Sequence, residues 1–189
     1  MSSQRADARR NYARLLAVAE QEIATHGADA SLEQIARIAG VGSATVRRHF
    51  PNRHALLDAV FRGVIENLSA RARELSDAAD ARAALLDWLA AVNGNVATIS
   101  GLAIALTRDC TASPTEAHEH CATAQLTEAG EPLVRRAAMA GAVAPDVTIT
   151  DLLALITGIA LAIEHHPDPA AAATRLLDLA MAGVSPRRG

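Results

Sequence analysis

Two adjacent arginines, Arg47 and Arg48, lie close in the chain to two hydroxyl residues, Ser43 and Thr45. A guanidinium group forms paired, charge-assisted hydrogen bonds with phosphate oxygens and with the edge of a guanine, and a hydroxyl group can add a further contact. If the segment is helical, the four side chains fall within about two turns. This combination of residue types favours binding to a polyanion.

The elements that must present these side chains are two short helices joined by a glycine turn. Ser31 is expected to cap the first helix, with Gln34 three residues later as in a capping box. The segment Gly40–Gly42 forms the predicted turn, because glycine adopts backbone angles that other residues resist. Ser43 is expected to cap the second helix, and Pro51 follows its end.

Three residues stand at the offsets that a helix-turn-helix requires. Ala36 is small enough for close helix approach, Gly40 can take the left-handed conformation, and Val46 can fill the space between the helices. An ordinary αα-corner inside a helical bundle is the alternative interpretation. The polar outer face of the second helix favours the helix-turn-helix, whose second helix enters the DNA major groove.

The predicted DNA contacts follow from this placement. Ser31 caps its own helix, and the N-terminus of that helix can also hold a phosphate. A packed histidine is as good an interpretation of His49 as a DNA contact. The complete predicted set is Ser31, Ser43, Ala44, Thr45, Arg47, Arg48, His49 and Arg53.

A recognition helix this short reads only a few base pairs. Specific binding to a double-stranded operator therefore predicts a homodimer on a palindromic site, with recognition elements about 34–36 Å apart or a multiple of that distance.

Composition and charge support an all-α protein with a basic N-terminal part. Half of the 189 residues are apolar and only 2% are aromatic, and alanine and leucine, both strong helix formers, supply most of the apolar residues. Residues 1–62 contain nine arginines against six carboxylates, a net charge of +3, whereas residues 63–189 carry a net charge of −6. Nucleic-acid binding needs positive charge on one face, and here that charge accompanies the helix-turn-helix.

The chain shows no sign of export or membrane insertion. Its N-terminus lacks an apolar signal segment, and the most apolar stretch, 149–163, is too short to span a bilayer and contains Asp151. Two cysteines favour free thiols over a disulfide framework. We therefore expect a cytoplasmic protein that does not contact a membrane.

Residues 8–62 resemble the N-terminal domain of TetR-family transcriptional regulators. The resemblance is carried by Ser31–Gly42 and Thr45–Leu57, together with Ala17–Ala19 and Gly27. It implies an N-terminal three-helix DNA-binding domain, 1–52, and a C-terminal helical domain for ligand binding and dimerisation, 53–189. The implied function is that of a repressor which binds a palindromic operator as a homodimer and is released by a small-molecule effector. The segment Glu131–Val184 resembles the SbtR type of C-terminal domain.

Two positions depart from the family's usual residues. The family usually has tyrosine where this chain has Arg47, and lysine where it has Arg53. The tyrosine typically contacts a phosphate. Arginine at position 47 can do the same or can reach a guanine edge, so base and phosphate contacts both remain open for Arg47. Arginine at position 53 can contact a phosphate as the lysine does.

The last two predicted helices are candidates for the dimer interface. In the resembled family such helices usually pack against their symmetry mates, although burial within one subunit is the alternative. Gly158 and Ala162, four residues apart, would let another helix approach closely. The predicted interface residues are Leu152, Leu155, Ile156, Ile159, Ile163, Leu176 and Leu179.

The middle helices should enclose the effector. Trp88 is the strongest single candidate, because its ring can stack and its indole N–H can donate a hydrogen bond. Each proposed lining residue can equally be plain core. The predicted set is Phe61, Ile65, Trp88, Val92, Leu106, Asp109, His118 and Cys121.

Two other classes of function stay open at this point. Cys110, His118 and Cys121 could form a metal or thiol sensor, although their spacing matches no familiar zinc site. The second class is a helical adaptor that binds only protein. The chain lacks a phosphate-binding glycine loop, a nucleophile elbow and a convincing catalytic triad, so we expect neither an enzyme nor a bound cofactor.

Overall fold

The computed structural model describes residues 2–26, 31–99 and 122–184. These ranges are helical with no strand, as the sequence predicts. The helices are α1 (Ser2–His26), α2 (Leu32–Ala39), α3 (Ser43–His49), α4 (Arg53–Leu75), α5 (Ala81–Thr98), α6 (Ala122–Met139), α7 (Ile149–Ala162) and α8 (Pro169–Val184).

The chain divides into two compact units, Met1–Gly63 and Val64–Gly189. The division falls within α4, eleven residues beyond the boundary expected from sequence, which ended the first domain at residue 52. The first is the N-terminal unit and the second the C-terminal unit.

The N-terminal unit has a small core built from one face of each of its helices. Helix α1 begins at Ser2 and ends at His26. Leu15, Ala19 and Ile23 are buried and stand four residues apart on α1, so they lie on one face of the helix. Helix α1 packs against α2. The buried residues of this unit are Leu15, Ala19, Ile23, Ile35, Ala36, Ala39, Val46, Phe50, Leu56 and Val60.

The turn between α2 and α3 depends on a left-handed glycine. Gly40 has φ of +67°, a conformation that costs a residue with a Cβ atom more than it costs glycine. The Val41 N–H donates to the Ala36 carbonyl at 3.0 Å, and the Gly40 N–H donates to the Arg37 carbonyl at 3.2 Å. These two bonds form a Schellman motif that satisfies the last carbonyls of α2.

Helix caps agree with the sequence at one position and disagree at another. The Ser31 hydroxyl accepts from the Gln34 N–H, so that predicted cap is confirmed. Before α4, the Asn52 side chain accepts from the Ala55 N–H at 2.9 Å. Ser43 does not cap α3. The N-cap is Gly42, whose extended backbone lets its carbonyl accept from the Val46 N–H, and Ser43 is the first helical residue.

The C-terminal unit is arranged around α5, which packs against α6, α7 and α8. Trp88 on α5 is completely buried, and its indole N–H donates to the Leu68 carbonyl of α4 at 2.9 Å. Gly130 on α6 makes room for the ring: a Cβ atom at that position would lie 2.6 Å from the ring atom Cη2 of Trp88. The same Cβ would lie 2.6 Å from Cδ1 of Ile149.

Charged side chains tie α4 to its neighbours within this unit. Arg71 pairs with Asp87 of α5 at 2.6 Å. The guanidinium of Arg136 on α6 donates to the Ser76 carbonyl and, at 2.5 Å, to the Ala78 carbonyl. A cation at this place satisfies carbonyls that follow the end of α4 and complements the negative end of its helix dipole.

We expect Gly130→Ala to destabilise the C-terminal unit. Neither Trp88 nor Ile149 can yield without leaving a packed position, so the added methyl group should lower the free energy of unfolding by about 1–3 kcal/mol in urea denaturation. Gly94→Ala on α5 is the matched control, because a Cβ there meets nothing within 4 Å. That control should be neutral or stabilising. Equal unfolding midpoints for the two variants would contradict this account of the core.

Candidate nucleic-acid interface and ligand domain

Helix α3 separates its residues cleanly into a buried side and an exposed side. Val46 is fully buried and Phe50, directly after the helix, is 1% exposed. Both apolar residues therefore anchor α3 to the N-terminal unit. The exposed residues are the predicted DNA contacts Ser43, Ala44, Thr45, Arg47, Arg48 and His49.

An aromatic group holds the end of α3 against α1. The Tyr12 ring lies 5.5 Å from the His49 ring and 5.7 Å from the Phe50 ring, measured between centroids. His49 is exposed, so it both packs against Tyr12 and presents an edge to solvent. Tilted ring pairs at these distances contribute to packing, and they fix the position of the basic end of α3.

Arg47 is paired with a carboxylate from the preceding helix. Its Nη2 atom lies 2.7 Å from Oε1 of Glu33, in the first turn of α2. The other carboxylate oxygen, Oε2, accepts from the Ser31 hydroxyl at 3.1 Å. Two predicted DNA contacts, Ser31 and Arg47, therefore meet at one carboxylate.

The electrostatics of this pair favour an ionised glutamate. The Arg47 hydrogen bond is the largest of the causes that lower the pKa of Glu33 from its ordinary value of 4.5, followed by bonds to its own backbone and to Ser31. Both side chains are about two-thirds exposed. Exposed pairs contribute little to stability and are readily broken by a competing charge.

Glu33 is the residue of this surface that the sequence analysis missed. It is separated from Arg47 by 14 positions, so no short motif connects the two. The available signal was an acidic residue in the first turn of a helix whose N-terminus was already expected to hold a phosphate. The expected capping box is also only half formed, because the structure gives no return bond from the Gln34 side chain.

Arg53 is the first residue of α4 and follows the Asn52 cap. The placement of its side chain lies outside the described part of the structure.

The predicted effector-lining residues divide into three groups. Ile65, Trp88 and Val92 are buried in the C-terminal unit, whereas Phe61 is half-buried and belongs to the N-terminal unit. Because Trp88 donates its indole N–H to Leu68, the arrangement does not support a role for that N–H as a donor to a ligand. Leu106, Asp109, His118 and Cys121 lie outside the described residues.

Asn93 is a buried polar residue that the sequence analysis did not single out. It lies on α5 one turn after Leu89, is 2% exposed, and its Oδ1 atom has no hydrogen-bond partner. Burying a carbonyl oxygen without a partner costs about 1–3 kcal/mol. Ser69 Oγ in the same unit also lacks a partner. Asn93 Oδ1, on the central helix α5, is therefore a candidate contact for a polar group of a ligand.

The predicted dimer residues differ in how much surface they leave free. Leu152, Ile156, Ile159 and Ile163 are buried by the chain itself, so their apolar character is explained without a partner. Leu155 and Leu176 are half-buried, and Leu179 is 62% exposed.

No helix within residues 2–26, 31–99 and 122–184 is long and apolar enough to cross a membrane. In the same ranges, no three potential metal ligands come together. Because Cys110, His118 and Cys121 fall outside these ranges, the structure does not address that cluster.

We expect the Glu33 carboxyl group to titrate below 4.5 in the folded protein, because Arg47 stabilises its charged form. The pair is then present above that lowered pKa and is lost as the pH falls through it. In a carbon-detected NMR titration, Arg47→Ala should move the Glu33 midpoint back towards 4.5, whereas Arg135→Ala on α6 should leave it in place. An unchanged midpoint in Arg47→Ala would show that the pair does not form in solution.

Comparison with known proteins agrees with this anatomy. Residues 15–60 match the family of bacterial regulatory proteins of the tetR type, and residues 80–186 match the C-terminal domain of SbtR-like transcriptional regulators. A search of curated proteins gave no match.

Solved structures extend the similarity over nearly the whole chain. A TetR transcriptional regulator from Streptomyces coelicolor is 36% identical, with a TM-score of 0.72 over 92% of this chain and 98% of that one. A TetR regulatory protein from Mycobacterium vanbaalenii is 29% identical, with a TM-score of 0.67 over 97% and 99%. The regulator FadR from Bacillus subtilis, in complex with stearoyl-CoA, shares the fold at 18% identity and a TM-score of 0.57 over 92% and 99%.

The C-terminal family match covers more than half of the chain, and the Streptomyces protein is more than 30% identical over nearly all of it. These comparisons give no support to the metal- or thiol-sensing alternative. The chain, with its helix-turn-helix and its helical C-terminal unit, therefore belongs to the TetR family of transcriptional regulators and carries an SbtR-like C-terminal domain.

Proposed function

We propose that this regulator is a homodimeric repressor that binds a palindromic operator and is released by a small-molecule effector. The observation that carries the proposal is the exposed, arginine-tipped face of α3, held on the part of the chain with net positive charge. Val46 and Phe50 fix that face from behind. Residues 1–52 form the proposed DNA-binding domain and residues 53–189 the proposed effector and dimerisation domain.

The proposed DNA contacts fall into two kinds. Thr45, Arg47 and Arg48 lie on the exposed face of α3 and are placed to meet base edges or phosphates in the major groove. Ser31 at the start of α2 and Arg53 at the start of α4 are proposed to hold the DNA backbone. Ser43, Ala44 and His49 complete the surface.

Dimerisation is proposed to use the outer faces of α7 and α8. Leu155, Leu176 and Leu179 supply apolar surface there. Gly158 is exposed and a Cβ atom at that position meets nothing within 4 Å, so another helix can approach its backbone. A second copy of the chain would cover the 62% exposed side chain of Leu179.

The effector is proposed to bind in the C-terminal unit. FadR from Bacillus subtilis, which shares the fold, is in complex with stearoyl-CoA. That complex supports the proposal that a small molecule binds to this chain as well. Asn93 is the proposed polar contact, because its buried Oδ1 lacks a partner and would accept a hydrogen bond from a ligand hydroxyl or amine.

To release DNA, the effector must bind more tightly to the conformation that does not bind DNA. Only such a difference in affinity shifts the populations of the two conformations. Helix α4 contributes residues to both units and is the proposed connection.

Arg47→Ala and Arg48→Ala should each weaken binding to the DNA upstream of the protein's own gene by about tenfold or more, because each removes a charge-assisted contact. Fluorescence anisotropy with a labelled duplex measures the change. Arg135→Ala, which removes an exposed arginine of α6, is the matched control and should bind like the wild type. Wild-type affinity in both α3 variants would overturn the assignment of α3 as the DNA-reading element.

Leu179→Arg should raise the dimer dissociation constant at least about tenfold, because each copy would place a charge in the apolar interface. Sedimentation velocity across a concentration series measures this constant. Met139→Arg is the control, since Met139 is also an exposed large apolar residue, at 74%, but lies at the end of α6. A dimer that resists Leu179→Arg, or a similar loss with Met139→Arg, argues against α8 as the interface.

A further inference from the structure

The carboxylate of Glu33 occupies the donors that the DNA-binding surface offers to a phosphate. Oε1 takes the Arg47 guanidinium at 2.7 Å, and Oε2 takes the Ser31 hydroxyl at 3.1 Å. The group also lies in the first turn of α2, where helix N–H groups and the helix dipole favour an anion. An internal anion therefore sits where an external one is expected to bind.

This arrangement has unequal consequences for different duplexes. A DNA acceptor that takes the Nη2 donor of Arg47 must break its bond to Glu33, and the DNA must then lie close to a free carboxylate. A duplex that offers Arg47 only a phosphate replaces one anion with another and gains little. An operator that offers Arg47 a paired contact, such as the O6 and N7 atoms of guanine, gains a further discrimination of about fivefold to 150-fold over a duplex with another base there.

We propose that Glu33 is a specificity-determining residue: it competes with DNA phosphates for Arg47 and thereby suppresses binding to duplexes that lack a better acceptor for that side chain. The proposal rests on the operator-binding function proposed above. Glu33 acts through Arg47 and Ser31 and is a positioning residue, with no DNA contact assigned to it. Because the pair is exposed, breaking it is compatible with reversible binding.

The test is a double-mutant cycle on a random-sequence 30-base-pair duplex, with binding measured by fluorescence anisotropy at several salt concentrations. The proteins are the wild-type full chain, Glu33→Gln, Arg47→Ala and the double variant. Glu33→Gln should tighten binding about threefold to tenfold near 0.1 M salt, and the slope of log affinity against log salt should steepen by about 0.9, because Arg47 then neutralises one more phosphate. In the Arg47→Ala background the same substitution should tighten binding clearly less, because only the direct repulsion between the carboxylate and the DNA remains to be relieved.

Glu20→Gln on α1 is the control for charge alone, because it removes one negative charge from the same unit without touching Arg47. Circular dichroism melting checks that all variants are folded. Equal tightening by Glu33→Gln in both backgrounds, or equal tightening by Glu20→Gln, would reduce the effect to general charge repulsion and overturn the proposal. Unchanged or weaker binding by Glu33→Gln would overturn it as well.

The cycle also separates this inference from the proposed function. If the wild type binds the duplex and Arg47→Ala weakens binding, but the cycle shows no coupling, only the role of Glu33 fails. If the wild type binds neither this duplex nor its own upstream DNA at low salt, operator binding fails and the role of Glu33 fails with it.

Discussion

The left-handed turn at Gly40 is the constraint on which the DNA-binding surface depends. With φ at +67°, Gly40 ends α2 and allows Val41 to donate back to Ala36. The chain then reverses tightly enough for Val46 to be buried while Arg47 and Arg48 remain exposed. A residue with a Cβ atom at position 40 would strain this turn, and α3 would lose the geometry that separates its anchoring side from its basic side.

The two units solve different physical problems with the same secondary structure. The N-terminal unit buries small and branched residues where α2 packs against α1 and α3, so that a short helix can expose its charged side chains. The C-terminal unit encloses Trp88, whose indole N–H is satisfied by Leu68 and whose ring fits against Gly130. Within that unit Asn93 keeps a buried amide oxygen without a partner. Ser69 Oγ is a second buried polar atom of this unit without a partner. Each such atom calls for an explanation, and a ligand that completes the hydrogen bond of Asn93 is the one proposed above.

The sequence predicted the fold best where local chemistry decides the outcome. Glycine at position 40, the cap at Ser31 and the buried Val46 all follow from rules that act over a few residues. The cap assigned to Ser43 was wrong by one residue, because the extended backbone of Gly42 lets its carbonyl start the helix.

Predictions that depend on tertiary geometry were weaker. Periodicity identifies an apolar face but does not say whether that face meets its own chain or a second copy, and Leu152 and Ile156 are buried by their own chain. The pair between Glu33 and Arg47 depends on how α2 crosses α3, which no spacing in the sequence encodes. The acidic partner of a predicted DNA contact was therefore invisible until the fold was known.

Hydroxyl-radical footprinting on the DNA upstream of the protein's own gene tests the central claim most directly. If two copies of the chain insert α3 into the major groove, protection should appear as two symmetric patches about 34–36 Å apart or a multiple of that distance. A single protected patch, protection without symmetry, or no protection at concentrations where the protein is dimeric would contradict the account.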